Sequence, residues 1–286
     1  MRILTKLSGL LFIFLLSLGC GFSGNDGAGK ATGTDSRNQS LQRTPSVNTA
    51  VPERQDPYWI RAQQEVYRSP EELEAQDVRE KRRGLTLAKL SRGNPREKVL
   101  ALTFDDGPHP EFTLKLLEIL KAENVVATFF VIGKMVEKHP ELVKALDDAG
   151  MEVANHTFSH VTLTKIPYEE IVTEYRANNE LVEKITNKRM KYCRPPGGDY
   201  DADVIAAASA EKLKTVLWTD DPGDYASPGG NVIEQRTLSK LSNGGVILLH
   251  DGVDQTLQML PQIIQYAKKQ GYRFVSVSEL DRGVSR

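Results

Sequence analysis

Thr103-Phe104-Asp105-Asp106-Gly107-Pro108 carries two adjacent carboxylates at the end of an apolar run, Val99-Leu100-Ala101-Leu102. The run reads as a buried strand and Gly-Pro as its stop. The pair therefore stands at a strand's C-terminal edge, where α/β folds place ligands and catalysis. Adjacent carboxylates repel unless a cation absorbs their charge, and the repulsion drives their pKa values apart. One can bind a metal while the other works as a base. Taken alone, the same residues also suit a solvated Asp-Asp-Gly turn.

Further groups stand at other strand ends. Asn155-His156-Thr157-Phe158-Ser159-His160 follows the short strand expected at Met151 to Ala154. Two His four residues apart can converge on one point, from a helix face or from a turn. Two imidazoles and one carboxylate form a three-ligand site with open positions, suited to zinc and also to non-haem iron. Val246-Ile247-Leu248-Leu249 reads as a buried strand ending in His250-Asp251-Gly252. Trp218-Thr219-Asp220-Asp221-Pro222-Gly223-Asp224-Tyr225 follows another strand, and Arg194-Pro195-Pro196-Gly197-Gly198 adds a cation on a rigid turn. An Arg can hold a carboxylate ionised and oriented. Amides near the Gly pair can stabilise an oxyanion. His109 and His139 stand beside Pro and read as surface turn residues.

The elements that must position these groups alternate from Lys98 onward. Helices are expected over Glu111 to Ala122, Glu141 to Ala149, Tyr168 to about Lys188, Val232 to Leu241 and Thr256 to Gln270. Strands are expected over Val125 to Ile132, Met151 to Ala154, Thr215 to Trp218, Val246 to Leu249 and Arg273 to Val277. Repeated β-α units argue for a parallel sheet, and about seven units argue for a small or incomplete (β/α) barrel, TIM-like in plan.

The N-terminus has a different character. Arg2 and Lys6 precede an apolar run, Leu7 to Leu18, that ends in Ser17-Leu18-Gly19-Cys20. This is the pattern of an export signal, and the run is short for a bilayer span. Cys20 after a small residue resembles a bacterial lipoprotein lipobox, which would lipidate Cys20 and anchor the chain to a membrane. A cleaved secretory signal with an incidental Cys is the alternative. Residues 21–55, poor in large apolar side chains, read as a flexible linker. Residues 56–96 read as a partly helical extension: Tyr58, Trp59, Ile60, Val66 and Tyr67 suit a short packed helix, and Ser69-Pro70-Glu71-Glu72 looks like a helix start. The 286 residues carry a net charge of -1, which gives no electrostatic argument for nucleic acid. The chain is expected to act as a monomer. Its only cysteines are Cys20 and Cys193, so no disulfide framework is expected.

With these motifs in order over about residues 97–281, the chain resembles the polysaccharide deacetylase family, the NodB-homology domain of peptidoglycan, chitin and xylan deacetylases. The resemblance implies a distorted (β/α) barrel and a divalent metal, usually zinc, with Co2+ or another divalent ion as substitutes. It implies Asp106, His156 and His160 as metal ligands, Asp105 as general base and His250 as general acid. Arg194 would orient Asp105, and Asp224 would tune His250. Leu248 and Tyr225 would line the substrate's acetyl-methyl pocket, with Gly197 and Trp218 as further substrate-binding residues. Two positions depart from the usual pattern: Gly197 stands where an aromatic residue is common, and Tyr225 where Trp is usual. Both bear on substrate preference. The expected activity is removal of N-acetyl groups from an extracellular polysaccharide, first of all cell-wall N-acetylglucosamine. Chitin oligomers, O-acetylated xylan and a non-catalytic glycan-binding role are the alternatives.

Overall fold

The structure, a computed structural model, describes residues 66–283. Cys20, the expected signal, the linker, and Tyr58, Trp59 and Ile60 lie outside the described residues. Helix α1 (Pro70–Arg82) and the short strand β1 (Lys89–Leu90) come first. Next are β2 (Val99–Gly107), α2 (Thr113–Ala122), β3 (Thr128–Val131), α3 (Gly133–Lys138), α4 (Pro140–Asp148) and β4 (Glu152–Asn155). After them come α5 (Tyr168–Thr186), β5 (Tyr192–Cys193), α6 (Ala202–Ala210) and β6 (Lys214–Val216). The described chain ends with α7 (Gly230–Lys240), β7 (Gly245–His250), α8 (Asp254–Lys269), β8 (Arg273–Val275) and α9 (Val277–Arg282).

β2 is charge-free until Asp105 and is buried along its whole length, as a strand covered on both faces requires. It pairs with β7 from Leu100 to Asp105 on one edge and with β3 on the other. All pairings are parallel, in the order β1-β6-β5-β4-β3-β2-β7, with β8 beside the start of β2. Beyond β6, the backbone of Thr219 and Asp220 bonds to Val246 and Leu248 of β7, so the sheet curls back on itself. The result is the expected incomplete (β/α) barrel. Leu100, Leu102 and Phe104 point from β2 to the helical layer and are fully buried, and Phe104 stacks on Phe129 with centroids 5.0 Å apart. Side chains of this kind contribute roughly 1.5–3 kcal/mol each on burial.

Several elements differ from the sequence expectation. The strand expected from Val125 starts at Thr128, because the Val125 amide closes the end of α2 by donating to the Leu120 carbonyl. The sheet begins before residue 97: β1 pairs with β6 through Lys89 and Leu90. Ser69 does cap a helix, in a reciprocal arrangement with Glu72. Val66 and Tyr67 are not helical; Val66 is exposed and Tyr67 is buried. Among the described residues no helix is long and apolar enough to cross a membrane.

Candidate active site

Side chains two apart on a strand share a face, and β2 uses this to aim Thr103 and Asp105 into the barrel. Arg194, directly after β5, reaches both. Its Nη1 lies 3.0 Å from Thr103 Oγ1 and 2.6 Å from Asp105 Oδ1, and its Nε donates to the Val216 carbonyl at 3.3 Å. The guanidinium carbon sits 4.1 Å from the centre of the Phe130 ring and 5.5 Å from that of Trp218. Arg194 and Asp105 are both fully buried. Breaking such a pair strands a buried charge, so the geometry is held firmly.

Asp106 has φ +71°, in the left-handed region. Gly107 follows because there is no room for a side chain: a Cβ there would lie 2.6 Å from Asp251 Oδ2, which Thr113 Oγ1 holds in place. Thr157 and His160 are also left-handed, at +65° and +55°. Non-glycine residues held in this region mark places where the surroundings overdetermine the backbone. Around the two His that scaffold is α5. Asn155 Nδ2 donates to the Tyr175 carbonyl at 2.8 Å, and its Oδ1 accepts the Thr157 amide at 2.8 Å. Asn178 Nδ2 donates to the Thr157 carbonyl at 2.9 Å. Glu174 Oε2 accepts the amides of Phe158 and Ser159.

The loop brings Asp106, His156 and His160 together, with ligand atoms within 4.8 Å of one another. Asp106 Oδ1 is 3.4 Å from His156 Nε2 and 3.2 Å from His160 Nε2, and the two Nε2 atoms are 3.2 Å apart. His156 Nδ1 lies 2.8 Å from the Arg194 carbonyl. A carbonyl only accepts, so Nδ1 carries a proton and Nε2 is the atom turned towards Asp106. Asp106 Oδ1 is buried with no hydrogen-bond partner. Burial opposes its charge, yet the imidazoles of His160 and His156 hold Asp106 well below the usual carboxylate range. Two imidazole nitrogens facing a deprotonated carboxylate fit a divalent cation.

His250 ends β7 as the register neighbour of Asp105. Its Nδ1 lies 2.6 Å from Asp224 Oδ1. The Asp224 carboxylate also accepts from the His250 amide at 2.9 Å, Thr256 Oγ1 at 2.6 Å and the Tyr225 amide at 3.0 Å. Burial pushes the His250 pKa down, but the Asp224 charge and hydrogen bond outweigh it and raise the pKa to about 9. Like Asp106 Oδ1, Asp105 Oδ2, 3.7 Å from His156 Nε2, and His250 Nε2 are buried without a hydrogen-bond partner.

The other expected residues lie around this centre. Leu248 is the register partner of Thr103 and fully buried. Tyr225 stands nearly perpendicular to the His250 ring at 5.3 Å. Trp218 packs against Gly198, whose missing Cβ would sit 2.5 Å from the indole. Gly197 takes φ +61° in the turn after Arg194. His109 is half-buried, its pKa lowered to about 4 mainly by that burial, and its Nδ1 accepts the Glu111 amide. Sequence reasoning did not find Thr103, Thr256, Glu174, Asn178 or Tyr67. Only Asn178 carried a signal, as a polar residue within the apolar stripe of a helix.

The family description "Polysaccharide deacetylase" matches residues 92–216. A peptidoglycan-N-acetylglucosamine deacetylase of Bacillus cereus is 39% identical over 191 residues, covering 65% of this chain and 89% of that protein. A solved peptidoglycan N-acetylglucosamine deacetylase structure superposes with a TM-score of 0.67 at 32% identity, covering 70% of this chain and 96% of that one. A carbohydrate esterase family 4 pseudoenzyme from Bacillus anthracis superposes at 0.66 with 31% identity, covering 69% and 70%. The chain belongs to the polysaccharide deacetylase family.

Proposed function

We propose that this protein is a divalent-metal-dependent hydrolase that removes N-acetyl groups from the N-acetylglucosamine of peptidoglycan. The observation that carries the reading is the pair of buried, unpartnered atoms Asp105 Oδ2 and His250 Nε2. They come from paired strands, whose spacing is roughly 4.8 Å, beside three ligand donors. Asp106, His156 and His160 would hold the ion, zinc first and cobalt or another divalent ion as substitutes, and when bound it would supply Lewis-acid polarisation of the acetamide carbonyl and acidify water.

Asp105 takes a proton from the attacking water at Oδ2 while Arg194 holds its other oxygen. The water's oxygen bonds to the acyl carbon, and the Gly197 amide is the backbone donor we assign to the developing oxyanion. His250 enters the cycle protonated, with Asp224 supporting its charge. As the C–N bond breaks, Nε2 passes its proton to the leaving amine, giving acetate and a free glucosamine. Leu248, Trp218 and Tyr225 line the space for the acetyl methyl. Lipidation of Cys20 would hold the enzyme at the cell envelope, beside this substrate. A mass shift on the mature N-terminus tests it; an unmodified Cys20 would remove the anchor.

Similarity to a pseudoenzyme favours one other reading, a non-catalytic glycan binder. The retention of Asp105 and His250, each with its partner, supports catalysis instead. Acetate release from peptidoglycan, chitin oligomers and acetylated xylan, measured in parallel with zinc present, tests the choice. The expected result is release from peptidoglycan that Asp106→Ala abolishes. Release from xylan alone would replace the N-deacetylase reading with an O-deacetylase, and no release despite bound zinc would favour the binder.

A further inference from the structure

We infer that Tyr67, which lies upstream of the family match at residues 92–216, is a wall of the acyl pocket and sets the size of acyl group the site accepts. The inference rests on the deacetylase reading above. Val66 is 87% exposed and Tyr67 only 7% exposed, so burial begins at this ring. The Tyr67 ring stacks on Tyr225 at 4.2 Å and 29°, meets His250 edge-on at 4.8 Å and 74°, and lies 6.3 Å from Trp218. It therefore touches the proton donor and both aromatic rings assigned to the pocket. Gly197, next to it, brings no side chain of its own to this side of the site.

Tyr67 is also held in place. The Arg68 amide donates to the Gly197 carbonyl at 3.0 Å. Ser69 then caps α1, with the Glu72 amide donating to Ser69 Oγ and the Ser69 amide to Glu72 Oε2. α1 is tied to the barrel through buried Leu73, through Gln76 Nε2 donating to the Tyr200 carbonyl at 3.1 Å, and through Lys89 of β1 bridging Asp77 and Glu80. A plug that must leave before substrate enters belongs to a weakly anchored segment. Both anchors, the Arg68 backbone hydrogen bond and the capped, docked helix, follow directly after Tyr67, and with the ring contacts they make it a fixed wall.

A pocket closed by such a wall discriminates by about tenfold or more per added methylene. The test uses the full chain and peptidoglycan whose amino groups have been re-acylated with either acetyl or propionyl. Wild type and Tyr67→Phe should both prefer acetyl. In Tyr67→Ala the propionyl-to-acetyl ratio of kcat/KM should rise about tenfold or more, with Tyr67→Val intermediate if the alanine variant folds poorly. A purely structural role would lower both rates and leave the ratio alone, and that result would overturn the inference. A rise in acetyl turnover with an unchanged ratio would also overturn it, making Tyr67 a plug. A wild-type protein releasing neither acyl group would instead overturn the deacetylase reading itself, and the wall with it.

Discussion

Replacing Asp224 with Asn removes the charge that keeps the His250 proton in place. His250 is raised from 6.5 to about 9 although burial alone would lower it, and Asp224 is the principal cause of the rise. A difference of that size corresponds to roughly 3 kcal/mol of preferential interaction with the imidazolium. Asp105 and Asp106 add to the rise, and a bound divalent cation offsets their share, so in the loaded enzyme the Asp224 contribution dominates. The general acid must be protonated, so activity should fall at high pH with the His250 titration. In Asp224→Asn that alkaline limb should move to lower pH by roughly 2 units. The same pair couples to folding. A raised His stabilises fully below pH 6.5 and loses that stabilisation as pH rises to about 9, so wild-type stability should decline across this window more steeply than the variant's. The Asn amide would also face the His250 N–H, a donor against a donor, at a cost of about 1–3 kcal/mol. The assay is kcat/KM for acetate release from pH 5.5 to 10 (about the usable range for such groups), with a melting curve at each pH. An alkaline limb at the same pH in both proteins, with the variant folded, would refute the assignment of His250 as the acid.

Other outcomes follow from the same geometry. Asp105→Asn should lower turnover by roughly 10² to 10⁴-fold and leave Arg194 unpaired, costing about 3–5 kcal/mol; kinetics and a denaturant titration read the two effects separately. Gly107→Ala drives a methyl into Asp251 Oδ2. It should destabilise by about 1–3 kcal/mol and weaken zinc binding through the Asp106 turn, as isothermal titration would show. Asp220 is raised to about 8 by burial, and neither of its oxygens has a hydrogen-bond partner. The folded chain therefore holds a proton that the unfolded chain loses above about pH 4, and stability falls as pH rises towards 8. Asp220→Asn should raise Tm more at pH 8.5 than at pH 5 (roughly either side of that window). Chelator treatment should lower both Tm and activity, and zinc should restore both.

The convergence of the candidate groups was legible where they are written in contiguous residues at strand ends. Asp105-Asp106, His156/His160 and His250 each follow an apolar run, and a parallel barrel gathers such ends at one rim. The strands that close the barrel were harder to read. β5 is two residues long, and β1 pairs through only Lys89 and Leu90, too few for any periodic signal. α6, Ala-rich over Ala202–Ala210, has no marked apolar stripe to announce it. Supporting residues were invisible for a different reason. Thr256 acts on Asp224 across 32 positions, and Arg68 meets Gly197 from a distant part of the chain. Such contacts exist only after the barrel has formed, which is why Tyr67 read as part of a packed helix rather than as part of the site.

The most direct test of the account measures bound zinc and released acetate together on wild type, Asp106→Ala and His250→Ala. Wild type should bind a single zinc and release acetate and free amine in equal amounts. Asp106→Ala should lose both properties. His250→Ala should keep its zinc and lose roughly 10² to 10⁴-fold in turnover. A zinc-loaded His250→Ala enzyme working at near wild-type rate, or an Asp106→Ala enzyme still releasing acetate with zinc, would contradict it.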